Sequence, residues 1–227
     1  MHYLDLFLKR LFDMGCALLG LIVLFPLGLI VTLGIELSDP GPVFYLAKRT
    51  TKHNRVFNMF KFRSMRQGKA NESVFRGEED RIFPFGRFIR ATKLDELPQL
   101  LNILIGDMSI VGPRPAAVDQ VEITRGGRFA AAGEVTAGLT GPSALYDYLY
   151  GDQIESEEEY VRDVLPTRLT LDLVYLDRRG VGFDLKMIWW TVACIACQIA
   201  GKTPERIFGT LLEWAAEKKE EPVCAAN

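Results

Sequence analysis

Histidine is scarce in this chain: only His2 and His53 occur among 227 residues. A histidine-based catalytic triad or zinc site therefore has little to work with. Cysteine is nearly as rare, with four residues, which at this length do not make a disulfide framework. Cys194 and Cys197 match C-x-x-C, but they sit in an apolar run with no second pair, so a structural role is favoured over metal or redox chemistry. No Walker loop, GxGxxG, HExxH or GxSxG is present. No repeat recurs, which argues against solenoids and propellers. The formal net charge is only −2, which on its face excludes a strongly basic nucleic-acid binder. A hydrophobic content of 48% excludes a disordered chain.

The small net charge hides an asymmetry. Residues 48–93 contain thirteen Lys/Arg and four acids, so the block carries +9 and the rest of the chain −11. Lys48 to Arg66 holds seven bases and no acid. Such a stretch attracts an anion, whether nucleic acid, an anionic lipid surface or a phosphorylated substrate. A merely solvated face is the plainer reading.

Ahead of this block, Met14 to Ile35 runs for 22 residues without a charge. As a helix it would reach roughly 33 Å, about one hydrocarbon core. A signal peptide is disfavoured because Glu-Leu-Ser-Asp-Pro-Gly-Pro follows in place of a small-residue cleavage site. Pro26 lies near the centre and removes a hydrogen bond to Ile22, so a kink is expected. Lys9 and Arg10 precede the segment and the basic block follows it, so the positive-inside rule holds both ends in the cytoplasm. Together these predict a re-entrant, helix-break-helix anchor with its break at Pro26. Leu4, Phe7, Leu8 and Leu11 fall on one helical face and predict an interfacial helix before it. A second uncharged stretch, Met187 to Gly201, is too short to span. It reads equally as a buried helix or, through Trp189 and Trp190, as a membrane-interface element.

The remainder reads as α+β and mainly helical. Val43 to Tyr45 and Val56 to Phe62 are rich in β-branched and aromatic residues and predict a small hairpin. Helices are expected over 84–90, 93–105, 155–179 and 204–219, with a Gly/Pro-rich loop over 106–115. The predicted organisation is an anchor over 1–37 and a catalytic domain over 38–227 ending in amphipathic surface helices.

The chemistry falls to carboxylates and bases. Asp95-Glu96 follows the basic block. Thr92-x-x-Asp95 fits a helix-capping pattern, which is the simpler account of the pair. Adjacent acids near Lys61, Arg63, Arg90 and Arg114 also suit phosphoryl chemistry. A carboxylate can attack phosphorus, a neighbouring one can hold Mg²⁺, and guanidinium groups can spread the charge of the transferring group. Arg114 lies between two prolines, which restrict its backbone.

Five motifs, in order and correctly spaced over residues 5–115, resemble the bacterial sugar transferases, the monotopic phosphoglycosyl transferases. They are Lys9-Arg10-Leu11-Phe12-Asp13, Gly41-Pro42-Val43-Phe44-Tyr45, Lys61-Phe62-Arg63-Ser64-Met65, Leu94-Asp95-Glu96-Leu97-Pro98-Gln99, and Gly106-Asp107-Met108-Ser109 running on to Gly112-Pro113-Arg114-Pro115. Gly138 to Pro142 matches more loosely. The resemblance implies transfer of sugar-1-phosphate from a UDP-sugar to polyprenyl phosphate, with release of UMP, at the cytoplasmic face of the bacterial inner membrane. It further implies a ping-pong mechanism with Asp95 as nucleophile close to Mg²⁺ and Glu96 as its catalytic partner. Lys61, Arg63, Arg90 and Arg114 would then serve as phosphate ligands, and Asp107 would shape the site or join Asp95 in the metal shell. Its partners would be the donor, the lipid acceptor and the phospholipid membrane, without nucleic acid and with room for a homo-oligomer. Three departures stand out. Phe25, where many relatives have serine, precedes Pro26. The hairpin turn Thr50 to Asn54 lacks glycine. Pro142-Ser-Ala-Leu-Tyr-Asp-Tyr replaces a Trp-Gln-containing stretch. Two other readings stay open at this point: a catalytically inactive membrane-tethered nucleotide-sugar-binding or scaffold protein, and a signal-anchor protein whose basic patch binds nucleic acid.

Overall fold

The computed structural model describes residues 3–66, 81–151, 154 and 156–220. Residues 67–80 of the basic block and the tail from 221 lie outside the described residues. The chain opens with helix α1 (Tyr3–Ser38), followed by strands β1 (Phe44–Thr50) and β2 (Val56–Phe62). Helix α2 (Pro84–Ala91), a 3₁₀ turn (Leu94–Glu96) and helix α3 (Gln99–Ile105) come next. Short elements β3 (Ser109–Val111), β4 (Ala116–Ala117), α4 (Val121–Thr124) and β5 (Gly138–Thr140) lead to α5 (Pro142–Leu149). A turn of helix α6 (Glu157–Glu159), then α7 (Leu165–Arg178), α8 (Val181–Ile199) and α9 (Glu205–Glu220) complete the fold. The architecture is mainly helical, with two small sheets.

The hairpin forms as expected, with β1 and β2 antiparallel over seven pairs from Phe44↔Phe62 to Thr50↔Val56. Its glycine-free turn is made by two residues in the left-handed region, His53 (φ 57) and Asn54 (φ 54); only Asn54 takes that conformation readily. Strand β4 adds to β1, and β3 pairs in parallel with β5. Gly112 and Gly138 let these backbones meet: a Cβ on Gly138 would fall 2.1 Å from the Gly112 nitrogen. The helix expected over 93–105 is divided, because Lys93 is left-handed (φ 56) and α3 starts only after Pro98. The one expected over 155–179 contains a π turn at Tyr160–Val164, just before Pro166, whose ring crowds the preceding helical turn and whose nitrogen donates no hydrogen bond.

The helix α1 departs from expectation at Pro26. No break occurs, and the element runs through the proline from Tyr3 to Ser38. The reason lies in packing on both sides of it. Ala17, Leu21 and Leu24 join the main core, while Val31 and Ile35 join a second cluster with Phe62, Phe83 and Ile89. Gly20 and Gly34 let Leu100 and Phe85 approach the helix closely. An interior proline costs about 3 kcal/mol, and each large side chain buried contributes about 1.5–3 kcal/mol in return. The opposite face, including Phe7, Leu8, Leu11, Leu19, Ile22, Val23, Phe25, Ile30 and Leu33, is exposed. Over Asp5–Ser38 the helix is long and apolar enough to cross a membrane.

The polar residues at the start of α1 lock it to the body. Arg10 donates to the carbonyls of Ile103 (2.5 Å) and Leu104 (2.8 Å), closing the last turn of α3. Asp13 accepts from the Ser109 hydroxyl at 2.8 Å and the Ile110 amide at 3.0 Å, fixing the start of β3. Lys9 bridges Asp13 (3.0 Å) and Asp184 on α8 (2.8 Å). The second apolar stretch divides both expectations for it. In α8, Asp184, Met187 and Cys194 are buried, while Val181, Leu185, Trp189, Val192 and Ile199 form an exposed apolar stripe. Trp190 turns inward and stacks on Trp214 at 5.4 Å. Cys194 and Cys197 are free thiols.

Candidate active site

The 3₁₀ turn carries the two acids. Thr92 does not cap it; its hydroxyl donates to the carbonyls of Phe88 and Ile89 at the end of α2. Left-handed Lys93 then turns the chain so that Asp95 is buried, with 6% of its surface exposed. Strand β2 supplies the partner. Lys61 Nζ lies 3.1 Å from Glu96 Oε1 and 3.8 Å from Asp95 Oδ2. The carboxylate oxygen Asp95 Oδ1 is buried and has no hydrogen-bond partner among the described residues.

Electrostatics separate the two acids. Burial pushes the Asp95 carboxyl up, and the Glu96 charge adds to this, against Lys61, Lys93 and Arg90. Burial also pushes Glu96 up, but Lys61, Lys93 and Arg114 outweigh it and hold that carboxyl at about 2. Two adjacent carboxyls are thus driven in opposite directions, a pattern that divides chemical roles between neighbouring acids.

The bases expected around the pair do not all arrive. Lys61 lies against the pair, while Arg90, beside Met65 on the surface, and Arg114 reach it through their charge, on Asp95 and Glu96 respectively. Arg63 does not. It follows the end of β2, is 5% exposed, and is held by Asp39 and by the carbonyl of Pro42 at 2.6 Å, where it pins the turn leaving α1. Asp107 is likewise set apart from Asp95. Its carboxylate pairs with Arg55 at 2.8 Å, at the opposite end of β2 from Lys61, and six residues of strand span about 20 Å. Asp95 and Asp107 therefore do not form one metal shell. Among the described residues no group of three or more His, Cys, Asp or Glu could hold a metal ion. The unpartnered Asp95 Oδ1 still fits a Mg²⁺ ion that keeps its waters and takes oxygens from a phosphorylated substrate, since that ion needs only one or two carboxylates.

The sequence reading missed a second acidic centre beside the first. Asp147 on α5 is 6% exposed. Its Oδ2 lies 3.1 Å from Arg114 Nε and 4.0 Å from Arg168 Nη1, and its Oδ1 accepts from the Tyr160 hydroxyl at 2.7 Å. Arg168 donates to Tyr160 at 3.0 Å. Burial raises the Asp147 carboxyl, but Arg114, Arg168 and the Tyr160 hydrogen bond bring it below the usual carboxylate range. Arg49 on β1 stands near enough that burial, then Arg114, push its own value down. Lys93 lies 4.5 Å over the Tyr148 ring. The one signal for this centre is a lone acid between aromatic residues, Tyr146-Asp147-Tyr148.

A long apolar helix is docked on a body that presents a buried acid pair with a lysine against it. The chain belongs to the bacterial sugar transferase family, whose model matches residues 4–198. It is 36% identical over 200 residues to the undecaprenyl-phosphate glucose phosphotransferase of Komagataeibacter xylinus, covering 83% of this chain and 36% of that one. It is 41% identical over 133 residues to the undecaprenyl-phosphate galactose phosphotransferase of Salmonella typhimurium, covering 51% and 28%. With the UDP-glucose:undecaprenyl-phosphate glucose-1-phosphate transferase of Caulobacter vibrioides the identity is 33% over 188 residues, covering 81% and 68%. The chain thus spans little more than a third of the first of these relatives.

Proposed function

We propose that this chain transfers sugar-1-phosphate from a UDP-sugar to polyprenyl phosphate, releasing UMP, as a membrane step of bacterial glycan assembly. The observation that carries this reading is the Asp95–Glu96 pair, buried, driven apart electrostatically and held under Lys61 among Arg90, Lys93 and Arg114. Asp95 is the nucleophile. Its carboxylate attacks the phosphorus bearing the sugar, the bond from that phosphorus to the bridging oxygen breaks, and UMP leaves with the electron pair. A phosphate oxygen of the lipid then attacks the acyl-phosphate, and Asp95 returns as a carboxylate. Glu96, kept ionised, holds Lys61 in place, and Lys61, Arg90 and Arg114 spread the charge on the transferring group. Asp95 and the substrate oxygens would hold Mg²⁺, which would supply charge neutralisation at the diphosphate.

Family membership and the names of the relatives support donor and acceptor alike. The apolar face of α1 supports a site at the membrane, and the basic flanks of the helix support the cytoplasmic face of the inner membrane. UMP release by the purified protein, with Mg²⁺, undecaprenyl phosphate and a panel of UDP-sugars, tests the reading. Release that requires lipid, metal and Asp95 is the expected result, and Asp95→Asn forms no phosphosugar adduct. Adduct at normal yield in that variant removes Asp95 from the role. Absence of release across the panel from folded protein points instead to a tethered binding module.

A further inference from the structure

We propose that Asp147 is a positioning residue for Arg114, setting the aim of that guanidinium toward the transferring phosphoryl group. The inference rests on the reading of Asp95 and its neighbours as a phosphoryl-transfer site. It starts from how thoroughly Arg114 is fixed. Pro113 and Pro115 restrict the chain on either side. The Arg114 amide donates to Asp172 Oδ1 at 3.1 Å, and its carbonyl accepts from Arg125 at 2.6 Å. Asp172 is itself held by Arg125 at 3.0 Å and by Ser143 at 2.5 Å. These contacts fix the backbone and leave the side-chain direction to be set by other groups. Asp147 sets it by binding the Nε edge at 3.1 Å.

Asp147 is suited to that task by its own surroundings. Tyr160 donates to one oxygen at 2.7 Å, and Arg168 stands behind Tyr160 at 3.0 Å. The carboxylate is therefore gripped from α7 while it grips Arg114. The Arg114 charge also reaches Glu96, whose carboxyl it helps to lower. Arg114 thus pairs directly with the buried acid that orients it and acts electrostatically on an acid of the reacting pair.

A purely structural role for Asp147, tying α5 to α7, predicts different kinetics. A double-mutant cycle separates the two. UMP release is measured with the UDP-sugar that the wild type uses best, undecaprenyl phosphate and Mg²⁺, for the wild type, Asp147→Asn, Arg114→Ala and the double variant. Asp147→Asn retains an oxygen that accepts from Tyr160 and loses the charge on Nε. If it positions Arg114, kcat falls roughly 10- to 100-fold, the scale of misplacing one catalytic group, while donor KM changes little. In the Arg114→Ala background the same substitution has no further effect. A full additional loss in that background, or an unchanged kcat for Asp147→Asn, overturns the proposal. Tyr160→Phe keeps the charge and removes one grip. Its smaller kcat loss must also vanish in the Arg114→Ala background, which keeps the test valid if Asp147→Asn does not fold. An intact wild-type turnover with additive variants defeats only this inference, whereas a wild type that releases no UMP defeats the parent reading and this one with it.

Discussion

Lys61 binds Glu96 more closely than it binds Asp95, at 3.1 Å against 3.8 Å. The cation therefore neutralises the acid that is held ionised and stands beside the acid that burial pushes up. One carboxylate oxygen of Asp95 has no hydrogen-bond partner among the described residues, which leaves it open to a metal ion or substrate. Lys61→Ala removes a charge from both acids and from the phosphate they would face. Turnover is expected to fall by about 10²–10³, and adduct formation in a single turnover is expected to fall with it. Lys61→Arg is not expected to restore the rate, because a planar fork does not reproduce a compact ammonium between two acids. Full activity of Lys61→Ala would remove Lys61 from the site, and full activity of Lys61→Arg would show that any cation there suffices.

Arg63 shares a motif with Lys61 and has a different job. Its guanidinium binds Asp39 and the Pro42 carbonyl and lies 5.5 Å from the Phe83 ring centroid, so it joins the end of α1 to the start of the hairpin. Arg63→Ala is expected to destabilise the protein by about 1.5–3 kcal/mol, the value of hydrogen bonds to a charged group. Donor KM of the folded fraction should remain at the wild-type value. Thermal unfolding in detergent and initial-rate kinetics check the two halves separately. A rise in KM without loss of stability would return Arg63 to the phosphate site.

Asp147 also makes stability depend on pH. Its folded value lies below that of an unfolded aspartate, near 3.9. The unfolded state therefore binds the proton first as pH falls. The contribution is fully present above about pH 4 and is lost as pH drops through the folded value. The stability difference between the wild type and Asp147→Asn should be constant from neutrality to about pH 5 and shrink below pH 4. Denaturant titrations at a series of pH values measure it. A difference that grows on acidification would mean that the carboxyl is raised by folding.

Much of the site was legible because its chemistry is local in sequence. Asp95 and Glu96 are adjacent, Lys61 lies on a strand that reads as a strand, and Arg114 is marked by its prolines. The existence of the hairpin and of α9 follows from the same short-range patterns. The failures are long-range. Nothing in Lys61-Phe62-Arg63 says that one cation turns to the acids and the other to Asp39, because the strand ends between them. Asp107 looks like a metal ligand until the fold sets it beside Arg55, at the far end of β2. Asp147, Tyr160 and Arg168 meet only because α5 packs on α7, and a sequence pattern carries no such contact. Pro26 reads as a break from local rules alone; packing on both sides of it decides otherwise.

That unbroken helix bears on how the protein sits in a membrane. Arg10, near one end of α1, binds the carbonyls of α3, and Gly34, near the other, lies against Phe85 on α2. About 36 Å of helix separates Arg10 from Gly34, and between them Ala17, Leu24 and Val31 pack into the body's two apolar clusters. A simple span would have to carry the Lys9–Arg10 end away from that body and across the hydrocarbon, breaking the Arg10 and Asp13 contacts and exposing Asp184 without Lys9. A monotopic arrangement keeps every one of them, with the apolar outer face of α1 turned to lipid and both ends at the cytoplasmic surface. Single cysteines placed at Asp5 and at Ser38 in a variant lacking native cysteines should both resist a membrane-impermeant maleimide applied from the periplasm, and both should react after permeabilisation. Labelling of either end from outside would show that α1 crosses. It would also mean that the contacts of Arg10 and Asp13 with the body are not kept in the membrane.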